Sequence, residues 1–217
     1  MSEFAPRAAL AEAALTIAAD KPWSTVTLHD IAAKAARSVA DFYPLTAADA
    51  FDCVDERFDR EAARAAPHAD AATPTRDRVF DVAMARFEAM EPHRTAVIAL
   101  DKAIEWDPLA QAASFARQTR TARWLLALAG ADGEGVGAAA RTQALALVMR
   151  QSRAAWLQDD AGDFAKTMAA LDKGLRRAEE FFEQVGKMAA GLRPGAARGK
   201  RGDEAPHEAP PSATPPE

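Results

Sequence analysis

Apolar residues recur every three to four positions along most of the chain, and no alternating pattern exceeds the few residues around Thr25–Thr27. That period predicts helices throughout and an all-α fold. Leu10, Ala13, Ala14 and Ile17 form the first stripe, which runs through Ala19. Pro6 suits its first turn, and Lys21-Pro22 ends it, because the residue before proline is pushed out of helical geometry. Thr27 is a candidate N-cap, with Asp30 three residues on in a weaker form of the capping box. Leu28, Ile31 and Ala35 then share one face. Ser38 restarts the chain as a second N-cap, ahead of Val39, Phe42 and Tyr43. Two capped helices with a short break predict a helix-turn-helix over Thr27–Tyr43.

Pro44 closes that unit, and Thr46 with Asp49 starts a longer helix. Its stripe is Ala50, Phe51, Val54 and Phe58, and it runs to about Ala66. Pro67–Thr75 reads as a loop, so the boundary between a small head, 1–66, and a larger body, 67–192, falls there. Thr75 is expected to cap a helix carrying Val79, Val82, Ala83, Met84, Phe87 and Met90. Glu91-Pro92 and Asp107-Pro108 restart the chain twice, the first time for Val97, Leu100 and Ile104, the second for Leu109, Phe115, Trp124, Leu125 and Leu128. Gly130–Gly137 reads as a flexible loop, and a helix from about Ala138 carries Leu145, Val148, Met149 and Trp156. In the last helix Phe164, Met168, Leu171, Leu175, Ala178, Phe182 and Val185 alternate in steps of four and three. That seam predicts a homodimer through Phe164, Met168, Leu171, Leu175, Ala178 and Phe182. Gly174 and Ala178 permit close approach across it. Residues 193–217 are rich in Pro, Gly and charge, which predicts a disordered tail.

Composition narrows the chemistry. Of 217 residues 49% are hydrophobic, and alanine dominates them, which favours helix. Cys53 is the only cysteine, so no disulfide can form within the chain and no thiolate metal framework exists. A small buried hydrophobe is its expected role. No basic stretch leads into an apolar core at the N-terminus, and no apolar run approaches ~18 residues. A soluble, cytoplasmic protein without stable membrane insertion is expected. The histidines, His29, His68, His93 and His207, have no partner at metal-ligand spacing. Neither a G-x-S-x-G elbow nor a P-loop is present. We expect no enzyme, metal or cofactor. The body offers an apolar interior of large shapes, Met84, Phe87, Trp106, Phe115, Trp124, Met149 and Trp156, as a candidate pocket between helices. Plain core is the competing reading for each of them.

The Thr27–Tyr43 stretch, TLHDIAAKAARSVADFY, resembles the helix-turn-helix of the TetR family of bacterial regulators. Ala35, Ala36, Arg37, Ser38, Phe42 and Tyr43 occupy the places of that family's A-G-V-S-x-x-x-L-Y pattern. The resemblance implies a three-helix head, a ligand-binding body and a C-terminal dimerisation bundle. It also implies operator binding through Thr27, Lys34, Arg37, Ser38, Asp41 and Tyr43. Ala36 stands where the pattern has glycine, which predicts a strained left-handed residue. Within residues 1–66 seven cations face eleven anions, a net −4. DNA affinity rests largely on cations against phosphate, so weak binding is expected unless the cations share one face.

A second stretch, WLQDDAGDFAKTMAALDKGL, resembles the signature block of the TetR-fold lipid-binding proteins of coenzyme Q biosynthesis. Asp159, Asp163, Thr167, Leu171, Asp172 and Lys173 match that pattern, D-x-S-x-D-x-x-x-T-W-x-F-L-D-R, whereas Ala161, Met168 and Ala170 depart from it. The segment Arg76–His93 looks similar to that family too. Two functions are implied as expectations. One is a TetR-like transcriptional regulator, most simply a repressor, that senses a small apolar ligand. The alternative is an isoprenoid-binding accessory protein that has lost DNA binding.

Overall fold

Three capping boxes shape the N-terminal third of the chain. Thr27 and Asp30, Ser38 and Asp41, and Thr46 and Asp49 each exchange side-chain and backbone hydrogen bonds. They satisfy amide groups that have no partner within a first helical turn. The computed structural model describes residues 4–66, 70, 72–160 and 162–191. The tail expected over 193–217, most of the 67–71 loop, His68, His207 and Ala161 lie outside those residues.

The helices are α1 (Phe4–Asp20), α2 (Leu28–Lys34), α3 (Ala50–Ala65), α4 (Thr75–Met90), α5 (Arg94–Ala103), α6 (Pro108–Leu128), α7 (Gly135–Trp156) and α8 (Ala165–Gly191). The described residues contain no strand, so the fold is all-α. Short 3₁₀ turns cover Trp23–Thr25, Val39–Phe42, Ala47–Asp49 and Glu91–His93. Several expected boundaries are corrected. Ser38 does cap the next element, but that element is one 3₁₀ turn of four residues, not a helix. Thr75 is the first residue of α4 and makes no side-chain cap. α7 begins at Gly135, before Ala138.

The chain divides into two compact units, one ending at Phe182 and one beginning at Glu183. The boundary expected at 66/67 falls inside the first. There α3 packs on α1, α4 and α6, α1 also packs on α2 and α5, and α6 packs on α7. The core holds Leu10, Ile31, Phe42, Phe58, Phe87, Leu125, Trp156 and Leu171, all essentially buried. Trp23 meets Phe51 edge-on, with ring centroids 5.7 Å apart. Gly174 of α8 faces Val148 of α7, and a Cβ at Gly174 would stand 2.7 Å from Val148 Cγ1. The close approach expected of Gly174 across a dimer seam is therefore made within the chain.

Two helices end in the same way with different residues. After α2, the Arg37 N–H donates to the Ala32 carbonyl at 3.0 Å and the Ala36 N–H to that of Ala33 at 3.1 Å. After α6, Ala131 and Gly130 make the equivalent bonds to Leu126 and Ala127, at 2.8 and 3.0 Å. Both are Schellman endings, which need a left-handed residue at the turn. Gly130 has φ 62°, and Ala36 has φ 52°. The left-handed conformation costs an alanine about 1–2 kcal/mol, partly offset because alanine loses less backbone freedom on folding than glycine. Ala36→Gly should therefore stabilise the protein by about 0.5–1 kcal/mol. Urea denaturation monitored by circular dichroism measures this, and an unchanged or lowered midpoint would contradict it.

Candidate functional site

Two carboxylates at (i, i+4) on α3, Asp55 and Asp59, point toward α4 and α6. Between them lies Arg86 of α4, 5% exposed. Its Nε–H donates to Asp59 Oδ1 at 2.7 Å, and its Nη2 donates to Asp55 Oδ1 at 2.8 Å. Thr121 of α6 donates its hydroxyl to the other Asp59 oxygen at 2.9 Å. Burial works against the Arg86 charge, but the charges and hydrogen bonds of Asp59 and Asp55 raise its pKa above the ordinary value. Buried ions persist only when paired and hydrogen-bonded in this way. The set clamps α3, α4 and α6 together.

Beside the clamp is a cavity of about 80 Å³. Its apolar wall includes Phe51, Val54, Phe58, Phe87, Leu100 and Met149. Its polar wall includes Arg86, Arg117, Gln118, Thr121, Arg150 and Arg153. Arg153 grips Asp101 with a two-pronged fork, at 2.8–3.0 Å. Arg117 of α6 is 8% exposed and lies over the Phe51 ring, 5.3 Å from its centroid. Its Nε–H donates to Asp55 Oδ2 at 3.2 Å. Its terminal amino groups have no acceptor among the described residues. Arg150 is exposed and has no partner among them either.

Of the residues expected to form a pocket, Phe87 and Met149 line this cavity. Met84 and Trp156 are buried without lining it. Trp106 and Phe115 are corrected: they are 89% and 54% exposed and point out of the fold. Apolar character alone does not tell which face of a helix finds a neighbour. Trp124 is 43% exposed, donates its indole N–H to the Asp59 carbonyl at 3.2 Å, and lines a separate surface groove with Arg120 and Arg123.

The expected dimer seam divides as well. Leu171 and Leu175 are buried in the chain's own core and cannot meet a partner. Phe164 lies outside α8, with φ 54°, and packs on the core. Met168 is 41% exposed, while Ala178 and Phe182 are half-buried. From the second resemblance, Asp159 has a visible structural task. It accepts the backbone N–H of Lys166 and of Thr167, each at 2.8 Å, and the Thr167 hydroxyl at 2.6 Å. These bonds cap the start of α8 and hold the Asp159 pKa below its usual range although burial pushes the other way. Nearby, Arg94 stacks on Trp156 at 4.4 Å, and Glu91 accepts the Trp156 indole N–H at 2.7 Å.

All six residues expected at DNA, Thr27, Lys34, Arg37, Ser38, Asp41 and Tyr43, are exposed. Tyr43 is 87% exposed. Thr27, Ser38 and Asp41 already serve the caps. Lys34 and Arg37 have no ion pair among the described residues, whereas Arg7 is held by Glu56, Lys21 by Asp30 and Arg57 by Glu12 and Glu61. Cys53 is buried, which pushes its thiol up to about 12, so it stays protonated and inert at neutral pH. His93 stands 3.4 Å from Arg57, and burial together with that charge holds its pKa below the usual value. Among the described residues no group of three or more His, Cys, Asp or Glu side chains is placed to hold a metal ion. No helix among them is long and apolar enough to cross a membrane.

No protein-family model matches the chain, and no curated protein matches it.

Sequence reasoning missed Asp55, Asp59, Arg86, Arg117 and Arg150. A signal was present for three of them. Arg86 interrupts the apolar stripe of α4 between Val82 and Met90, and Asp55 and Asp59 each come directly after a core residue, Val54 and Phe58. Charges set into an apolar face in complementary pairs mark a buried network.

Proposed function

We propose that the chain is a ligand-responsive, TetR-like transcriptional regulator whose cavity takes a small ligand and whose Thr27–Tyr43 segment touches DNA. The observation that carries this reading is the pairing of the N-terminal cations. Arg7, Lys21 and Arg57 are held by acids, while Lys34 and Arg37 flank the α2 ending without an ion pair among the described residues, next to an exposed Tyr43. They are the cations of this segment available to phosphate. The reading therefore predicts a weak salt dependence. Each phosphate contact contributes about −0.9 to the slope of log K against log salt. Two contacts per protomer give about −2 for a monomer and about −4 for a homodimer. A salt titration of the protein against its own upstream DNA measures this. No retardation at low salt overturns the reading, as does binding unchanged in a Lys34→Gln, Arg37→Gln variant.

One observation favours the second reading, an isoprenoid-binding accessory protein without DNA binding. The element after Ser38 is one 3₁₀ turn, about 8 Å long at ~2.0 Å per residue, and it carries Asp41 on its exposed side. A recognition helix is longer and lies in a major groove ~12 Å wide. Against this reading, the cavity beside the clamp holds about 80 Å³, so most of an isoprenoid chain would have to lie outside it, for example in the larger groove beside Trp124. Native mass spectrometry after mild extraction decides it, since recovery with no bound lipid leaves it without support.

A further inference from the structure

The ~80 Å³ cavity among α3, α4, α5, α6 and α7 is apolar on one side and charged on the other, where Arg86, Arg117, Arg150 and Arg153 outnumber Asp55 and Asp101. Six of the charged side chains at the cavity and its clamp satisfy one another. Arg86 takes Asp55 and Asp59, Arg153 takes Asp101, and Arg117 gives its Nε–H to Asp55. Two guanidinium ends are left over. The terminal amino groups of Arg117 belong to a side chain more than nine-tenths buried and have no acceptor among the described residues. Arg150 lines the same cavity from α7, exposed and without a partner among the described residues. The terminal amino groups of Arg117 keep access to solvent, since the buried side-chain atom without a partner among the described residues is Ser152 Oγ; they stay open to an incoming acceptor, and a carboxylate suits the planar fork.

Size narrows the partner. A water needs about 10–15 Å³ of such volume, so the cavity holds about five to eight non-hydrogen atoms. Resting on the reading that this cavity is the ligand site, we propose that it binds a short-chain carboxylate of about four or five carbons. The alkyl group lies against Phe58, Phe87 and Met149, and the carboxylate meets Arg117 and Arg150. A longer chain would have to leave part of its apolar length outside the cavity, and an inorganic anion leaves the apolar wall unused.

The test is calorimetry on the full chain with butyrate, butyramide, octanoate and inorganic phosphate. A sample labelled on its methionine methyl groups is monitored in parallel by NMR. Butyrate should bind at least tenfold more tightly than its neutral isostere butyramide and more tightly than octanoate. It should shift the Met149 methyl signal and leave that of exposed Met168 in place. Arg150→Gln, at the cavity edge where folding does not depend on it, should weaken butyrate about tenfold with little effect on butyramide. Arg117→Gln should do the same, with Asp55 still held by Arg86. Equal binding of butyramide overturns the carboxylate assignment while leaving the cavity a ligand site. Binding of none of the probes overturns both. Phosphate binding as tightly as butyrate, or butyrate binding indifferent to both arginine substitutions, places the anion elsewhere and overturns the proposal.

Discussion

Arg86→Leu should destabilise the protein by about 3–5 kcal/mol, the range seen when one partner of a buried ion pair is removed. The physical cost is the pair of carboxylates left behind. Asp55 keeps a contact from Arg117, but Asp59, 9% exposed, keeps only the Thr121 hydroxyl. An uncompensated charge in that setting is far more expensive than the arginine is valuable, because the pair's attraction roughly offsets the desolvation of both ions. The double variant Arg86→Leu, Asp59→Leu should therefore recover much of the loss. Urea denaturation with circular dichroism reads both changes. A single-variant loss below ~1 kcal/mol would show that Arg86 is not what neutralises Asp59.

Gly174→Ala should cost about 1–2 kcal/mol, although alanine is the better helix former by about 1 kcal/mol. The new methyl would meet Val148 Cγ1 at 2.7 Å and Cγ2 at 3.1 Å. Val148 is β-branched and held to one rotamer in α7, so it cannot swing aside, and overpacking of a fixed neighbour typically costs about 1–3 kcal/mol. Val148→Ala opens the space. In the double variant the clash disappears, and a double-mutant cycle should give a favourable coupling of at least ~1 kcal/mol. A Gly174→Ala protein as stable as the parent would show that α7 and α8 can shift apart without loss.

The helix ends were legible in the sequence because their chemistry is local. Thr27 with Asp30 forms the expected capping box, Ser38 caps the next element as expected, and the chain restarts at Asp107-Pro108. The strain at Ala36 was legible for the same reason. The length of the element after Ser38 was not, because a cap starts a turn without setting how far it propagates. The choice of buried face was also hidden. Leu171 and Leu175 point inward while Met168, on the same stripe, is 41% exposed. A heptad pattern does not distinguish a neighbour in the same chain from one in another. The cavity was half legible: Phe87 and Met149 came from the apolar pattern, whereas the arginines of its charged wall drew no reading from the sequence. Arg117 and Arg150 had no local signal, since their significance depends on which helices meet.

The Asp55–Asp59–Arg86–Thr121 clamp also bears on how the chain comes apart. α3 belongs by sequence with α1 and α2, yet its Asp55 and Asp59 carboxylates are satisfied by α4 and α6. Peeling α3 away would expose two carboxylates and strand a guanidinium group at once. The N-terminal helices should therefore not melt as a separate module, and the first unit should lose its structure in a single cooperative transition.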